Sequence, residues 1–485
     1  MRFKIILNTT GIALKYMSIM FLFPIVFALF YKEFTSIHPF FVTGIIAFLI
    51  GTLFCLNDAD EKDIDSMNRT EALATVLLSW GSYAIICAIP FLFFNLSPIN
   101  ALFESVSGIS TTGATILSDF SLYSKTFFMY RALMQWFGGM GIMVLFIAVL
   151  PKFAVAGRQI FFAEASNPTE EKITPRIRHT ASWLWSIYIL LTVIQIVCYS
   201  ALGLNFYDSL CLSFSTISAG GFSNYANGLI GQNSALIWVG GLFAFLAGMN
   251  FILTYKVLIK GKINELFKSE EFKTYFGIVF VITLLIAAVL YFEGNMPFNV
   301  ALRDAFYETA STITSTGSTS SDYILWPQRA QIFLFILMFI GGSAISASGG
   351  IKVARWVYLF KYIKNELNKI VHPNMISPVK LDGRTVPPET GHQIIIFFMF
   401  FIAIFAISTV LVALIEQNTI IAITGSIATL SNTGPGFEAS IGPVGSYNDL
   451  NFFTKLIFTF NMFVGRLEII PFLAILNKDL WQIKR

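Results

Sequence analysis

The sequence predicts an all-α polytopic membrane protein, and three observations carry that prediction. Of its 485 residues, 55% are hydrophobic and only 12% charged, with a mean hydropathy of +0.71, whereas soluble domains carry about 25% charged residues. Ten apolar segments have the roughly 20-residue length that crosses a bilayer. A short Ser/Thr/Gly-rich motif recurs four times, each copy between two apolar segments. Together these predict four repeats of span, half-length helix with loop, and span, preceded by two additional spans. The composition excludes a cytosolic enzyme, a disordered chain and a secreted disulfide scaffold.

The chain opens with Met1, Arg2 and Lys4 before an apolar run to about Tyr31, which mimics a signal peptide. No small-residue cleavage site follows and the run is long enough to span. Spans at about 10–31 and 39–57 make up the additional pair within 1–70. The first repeat (71–152) places spans at 72–94 and 127–151 around a short segment near 99–113. The second (180–262) has 181–204 and 234–259 around 206–220. The third (273–365) has 274–292 and 329–360 around 302–317, and the fourth (391–480) has 392–415 and 452–477 around 421–434.

Ten crossings put both termini on one side. Most of the 32 Lys and Arg fall on that side; the opposite connections hold only Lys32, Lys125, Arg131, Arg303, Arg329 and Lys455. The positive-inside rule therefore makes both termini cytoplasmic. Acidic residues leave the outer connections net negative, a surface that attracts cations. Glu104, Asp208, Asp304 and Glu308, on or just before the short segments, read as outer carboxylates that concentrate cations or cap helices.

The four short segments share one pattern. They read F-E-S-V-S-G-I-S-T-T-G-A-T (Phe103 to Thr115), L-C-L-S-F-S-T-I-S-A-G-G-F (Leu210 to Phe222), Y-E-T-A-S-T-I-T-S-T-G-S-T (Tyr307 to Thr319) and T-G-S-I-A-T-L-S-N-T-G-P-G (Thr424 to Gly436). Aligned, they put Gly113, Gly220, Gly317 and Gly434 in register. A chain turns back at mid-membrane depth only where its backbone is buried in protein or lines a cavity. Half-helices entering from outside aim their partly negative C-terminal ends at the bilayer centre. The strand after each one can offer backbone carbonyls in place of an ion's hydration shell. Ser/Thr-rich outer loops would explain one such motif, but not four copies in register.

These motifs resemble the filters of the superfamily of K⁺ transporters that contains TrkH, KtrB and the plant and fungal HKT/Trk proteins. R-A-L-M-Q-W-F-G-G-M-G-I after the first motif and the late V-G-R-L-E-I are similar as well, and the additional pair of spans resembles the bacterial TrkH branch. The resemblance implies one pore per subunit on a pseudo-fourfold axis. It implies a selectivity filter of Thr111, Thr112 and Gly113; Ser218, Ala219 and Gly220; Ser315, Thr316 and Gly317; and Asn432, Thr433 and Gly434, with K⁺ held at Thr112–Gly113, Ala219–Gly220, Thr316–Gly317 and Thr433–Gly434. Gly at 113, where Na⁺-favouring relatives carry Ser, argues for K⁺. It further implies a homodimer in the bacterial cytoplasmic (inner) membrane on a TrkA-like cytosolic ring whose RCK domains bind nucleotide.

Two features suggest a gate. Gly341, Gly342, Ser343, Ala344, Ile345, Ser346, Ala347, Ser348, Gly349 and Gly350, followed by Lys352, interrupt the span at 329–360 with small residues. Small residues permit close helix packing, but glycines also disfavour helix, and the resemblance favours a flexible intramembrane loop with Lys352 at its basic position. Arg466 is an intramembrane charge, costly and by default functional; it either anchors pore-loop carbonyls or projects toward the cavity as a barrier to cations.

The remaining chemistry is sparse. The four cysteines and four histidines form no metal-ligand or catalytic spacing, no organic cofactor is implied, and nothing points to nucleic acid. There is no nucleotide-binding motif, so nucleotide control requires another chain. The basic inner connections 152–180, 256–273 and 361–391 suit anionic lipid headgroups. The expected function is a K⁺-selective, channel-like uptake subunit; the alternative is Na⁺- or H⁺-coupled K⁺ symport.

Overall fold

The structure, a computed structural model, describes residues 1–56, 67, 69–148, 173–374 and 377–469. Apolar runs become helices because hydrocarbon offers no partner for backbone N–H and C=O groups outside the segment itself. Six described stretches are long and apolar enough to cross a membrane: Phe3–Phe30, Phe34–Cys55, Thr70–Phe93, Ser182–Ala201, Glu270–Phe292 and Pro388–Glu416. A seventh is the bent pair Ser234–Ala247 and Phe251–Leu258, which turns through 112°. Of the other expected spans, 127–151 corresponds to helix Lys125–Ala148, its last residues lying outside the described ones. The span at 452–477 corresponds to helix Phe452–Arg466, which ends at Arg466 before left-handed Glu468 and Ile469; the rest of that expected span lies outside the described residues. The greater part of the inner connection at 152–180 lies outside the described residues as well.

The span at 234–259, expected to be continuous, is interrupted; the span at 329–360 is interrupted by the small-residue segment, as expected, and the two breaks meet. The Asn250 side chain accepts the N–H groups of Ile252 (3.0 Å) and Leu253 (3.4 Å), so it starts a new helix rather than continuing the old one. In the third repeat, helix Gln328–Leu337 ends before the small-residue segment and a new helix begins at Val353. The carbonyls freed at Ala247 and Gly248 accept N–H groups of Ala347 (3.3 Å) and Ser343 (2.8 Å). Each irregular segment supplies the hydrogen bonds that the other lacks, which is the condition for non-helical backbone at membrane depth.

The additional N-terminal pair packs on itself and on the first repeat. Helices Phe3–Ser18 and Ile37–Cys55 touch where a Cβ on Gly11 would lie 2.6 Å from the Gly51 carbonyl oxygen, so only glycine permits this approach. The Glu33 carboxylate accepts the N–H groups of Lys125 (3.1 Å) and Thr126 (2.9 Å), capping helix Lys125–Ala148. Lys125 Nζ sits 4.8 Å from the Tyr31 ring centre, and Tyr207, on the second half-helix, donates to the Lys125 carbonyl at 2.8 Å. At the end of the third repeat, amphipathic helix Val353–Val371 is followed by a hairpin pairing Lys380 with Thr385 and Leu381 with Arg384. Lys361 ties helix and hairpin to the start of the earlier helix Glu270–Phe292, through Glu270 and the Lys380 carbonyl (2.8 Å).

Candidate ion filter and gate

Four half-length helices converge: Pro98–Ile109, Phe206–Ile217, Phe298–Ile313 and Thr419–Leu430. Their starts are written in the sequence. Pro98 occupies a first-turn position that needs no N–H. Asn205 accepts the Asp208 N–H (2.8 Å), and Asn418 accepts those of Ile420 (2.9 Å) and Ile421 (3.2 Å). Their ends share one geometry. After the cap residues Ser110, Ser218, Thr314 and Ser431, the next residue adopts a left-handed conformation: Thr111 (φ 52°), Ala219 (55°), Ser315 (54°) and Asn432 (58°). The following residue bonds back into the helix, with Thr112 N–H to Ser107 O (2.9 Å), Gly220 to Ser215, Thr316 to Ser311 and Thr433 to Ala428 (each 2.8 Å). A glycine with positive φ comes next: Gly113 (84°), Gly221 (74°), Gly317 (70°) and Gly434 (94°).

This geometry corrects the alignment at the second repeat. Gly220 is the residue expected in register with Gly113, Gly317 and Gly434, but the structure places Gly221 there. Gly220 instead occupies the position of Thr112, Thr316 and Thr433. The reason is the helix end: Ser218 is the cap residue, as Ser110, Thr314 and Ser431 are, and the glycine lies three residues beyond it in every repeat.

The four glycines close a ring. A Cβ added to Gly113 would strike the Gly220 carbonyl oxygen; on Gly221, that of Thr316; on Gly317, that of Thr433; and on Gly434, that of Thr112. Each glycine α-carbon therefore rests against the carbonyl of the next repeat, and the fourth repeat returns to the first. Positive φ and this contact each exclude side chains. The threonine hydroxyls are held by the cap residues two positions earlier: Ser110 with Thr112 (2.6 Å), Thr314 with Thr316 (2.8 Å) and Ser431 with Thr433 (2.8 Å). Gly220 has no such side chain, and buried Gln135 occupies that space. Gly113, Gly221, Gly317 and Pro435 line a common cavity of about 200 Å³.

The carboxylates expected on the outer surface are buried, with exposures of 0% (Glu104), 8% (Asp208), 2% (Asp304) and 1% (Glu308). They brace the chain leaving the filter. Glu104 accepts the Ile116 N–H (3.0 Å) and the Thr115 hydroxyl (3.1 Å), and pairs with buried Arg131 at 2.7 Å. Arg131 also reaches the Ser223 carbonyl (3.4 Å) and lies 3.9 Å from the Phe222 ring centre, so it braces the second filter as well as the first. Asp208 accepts Asn224 (3.1 Å) and the Tyr225 hydroxyl (2.7 Å). Glu308 accepts the Ser320 N–H (2.7 Å) and the Thr319 hydroxyl (2.9 Å), and Asp304 pairs with Arg303 (2.7 Å). In the fourth repeat the Thr424 hydroxyl accepts the Phe437 N–H at 3.1 Å.

Beneath the ring lies the small-residue segment. The Gly349 N–H donates to the Ser315 hydroxyl, and a Cβ on Gly349 would strike the Ser431 carbonyl, so the loop touches the inner ends of the third and fourth filters. Gly341 and Gly342 are equally confined, by the Gly349 carbonyl and by Ser348 with Gly248. Gly350 takes a φ of 67°. Ser346 bonds the Ser343 carbonyl (2.6 Å) and the Ser348 hydroxyl (2.7 Å). Lys352, expected at a basic inner position, is buried and donates to the Ser348 carbonyl and hydroxyl. The Ala344 N–H donates to Glu271. Arg466 does not reach a pore-loop carbonyl. Its Nη1 donates to Ala347 O in the small-residue loop (2.8 Å), while its buried Nε and Nη2 have no partner among the described residues. Glu468 pairs with Arg355, not with Arg466.

The Arg131–Glu104 pair yields a stability prediction. Arg131→Met strands a buried carboxylate, and removing one partner of a buried pair costs about 3–5 kcal/mol. The purified variant should melt well below wild type. Arg131→Met combined with Glu104→Gln should recover part of the loss, as measured by fluorescence-detected thermal unfolding in detergent.

Comparison with known proteins agrees with this architecture over the whole chain. The TrkH family of cation transport proteins matches residues 36–482. The Trk system potassium uptake protein TrkH of Escherichia coli (strain K12) is 32% identical over 489 residues, covering 99% of this chain and 100% of that protein. TrkG of the same organism is 31% identical over 485 residues, covering 99% of each. The crystal structure of the potassium transporter TrkH from Vibrio parahaemolyticus matches with a TM-score of 0.90 at 29% identity, covering 99% of this chain and 100% of that one. The chain belongs to the TrkH family of cation transport proteins: a multi-pass membrane transporter of four pore-loop repeats, not an enzyme.

Proposed function

We propose that this protein is the K⁺-selective, channel-like pore subunit of a Trk-type potassium uptake system in the bacterial cytoplasmic membrane, with both termini cytoplasmic. The observation that carries this reading is the closed ring in which glycine α-carbons of one repeat meet carbonyls of the next. Dehydrated K⁺ needs a cage of oxygens without competing charge, and the carbonyls of Thr112, Gly220, Thr316 and Thr433 supply one. The C-terminal ends of four half-helices add negative potential there. Ion-binding positions accordingly move in the second repeat from Ala219–Gly220 to Gly220–Gly221, with Ser218 as the cap and Ala219 as the left-handed turn.

The gate in this reading is the small-residue loop with Lys352 and Arg466. Two cationic groups below the filter raise an electrostatic barrier that the loop must move to relieve. We further propose that the subunit works as a homodimer on a TrkA-like cytosolic ring whose RCK domains bind nucleotide. The relatives' designation as parts of a Trk system supports a second subunit.

Proton-coupled symport is the second reading, and the observation that favours it is the buried carboxyl of Glu308 beside the third filter. Intramembrane carboxylates serve proton relays. The carboxylate of Glu468, by contrast, is occupied by Arg355.

Three outcomes test these proposals. In proteoliposomes, ⁸⁶Rb⁺ flux should follow only the permeant ion's own electrochemical gradient, whatever Na⁺ or pH gradient is imposed. Flux driven by a pH gradient and lost in Glu308→Gln would establish symport instead. Gly113→Ser and Gly221→Ser should each admit Na⁺, the second because its side chain enters the Thr316 carbonyl; unchanged K⁺/Na⁺ discrimination in both would rule out this filter. Arg466→Ala should raise K⁺ conduction severalfold, whereas a decrease in a folded variant would make Arg466 an anchor of the loop and not a barrier.

A further inference from the structure

The second filter strand differs from the other three in having two adjacent glycines, Gly220 and Gly221, and no anchored threonine. Paired glycines have more backbone freedom than any other dipeptide, yet the carbonyl between them belongs to the ring. One side chain compensates. Gln135, fully buried on helix Lys125–Ala148 of the first repeat, donates its Nε2–H to the Gly220 carbonyl at 2.6 Å and accepts the Phe222 N–H on Oε1 at 3.1 Å. A single planar amide thus holds both sides of the filter glycine. The atoms nearest to a Cβ built on Gly220 are all from Gln135, so the amide fills the volume that threonine fills in the other repeats. Arg131, one helical turn earlier on the same face, holds Ser223 and the Phe222 ring.

We infer that Gln135 is a positioning residue that sets ion selectivity at the second repeat, standing in from a neighbouring repeat for the missing filter threonine. This rests on the filter reading above. The carbonyl oxygen has two lone pairs; Gln135 occupies one, fixes the peptide plane and leaves the other for the ion. Without that bond the Gly220–Gly221 peptide keeps only the longer Gly221 N–H bond to Ser215 O (3.3 Å), its carbonyl gains freedom to tilt, and the cage adapts to smaller cations.

The test is competition of K⁺ and Na⁺ against ⁸⁶Rb⁺ uptake by the full-length protein in proteoliposomes, with folding checked by size exclusion. Gln135→Ala should lower K⁺/Na⁺ discrimination roughly tenfold, the scale of one net hydrogen bond. Gln135→Glu keeps the size and the acceptor for Phe222 but removes the donor, so it should also lose discrimination; it serves if the alanine variant does not fold. Gly220→Thr alone should be damaging because it collides with Gln135. Combined with Gln135→Ala it should restore discrimination, since the introduced threonine then has both the vacated space and Ser218 as a hydroxyl partner. Wild-type discrimination in Gln135→Ala and Gln135→Glu, with Gly221→Ser still admitting Na⁺, overturns the role of Gln135 and leaves the filter standing. No change in any of the three overturns the filter reading and this inference with it. A double variant no better than Gln135→Ala likewise overturns the substitution of amide for threonine.

Discussion

A backbone that reverses inside a membrane must bury or use every carbonyl it frees, and this constraint organises the molecule. At each of four half-helix ends the chain turns through a left-handed residue, bonds N–H groups back into the helix and then extends away from it. The carbonyls of the turn cannot bond within their own segment. They lie instead against the glycine of the preceding repeat, and that close approach succeeds only because no side chain is present. Left-handed backbone at Thr111, Ala219, Ser315 and Asn432 costs about 1–2 kcal/mol each. The surrounding braces hold these turns in place against that cost.

Those braces do the same task with different chemistry. An ion pair holds the first strand, a carboxylate with an amide and a phenol the second, a carboxylate with a hydroxyl and N–H groups the third, and one threonine hydroxyl the fourth. The same logic joins the broken helix at Gly248–Asn250 to the small-residue loop, because each uses the other's unpaired groups. Repeats related by a pseudo-fourfold axis thus keep the backbone geometry while the side chains around it diverge. Arg131 and Gln135 show the reverse dependence, in which one helix of the first repeat supports the filter of the second.

Much of this is legible in the sequence. The apolar runs, the four motifs and the capping residues Pro98, Asn205 and Asn418 follow from hydropathy and turn chemistry. The register at the second filter is easily misread because Gly220 and Gly221 are equivalent as glycines. The better signal is the hydroxyl residue three positions before the glycine: S-T-T-G, S-A-G-G, T-S-T-G and S-N-T-G. Hydropathy could not reveal the 112° bend, since composition stays apolar through it and only Asn250 marks a new helix start. Glu104 and Glu308 read as surface charges because a sequence does not show which distant donors fold onto a carboxylate. The volume match between Gln135 and Gly220 is likewise a fact of packing between repeats, invisible in either segment alone.

The central claim is that four backbone carbonyls from four repeats form the ion site. Its most direct measurement is an anomalous difference map from crystals of the protein grown in Tl⁺ or Rb⁺. The account predicts density on the axis, bounded by the carbonyls of Thr112, Gly220, Thr316 and Thr433. An ordered filter without density there, together with a strong peak at Glu308 or another carboxylate, would contradict it.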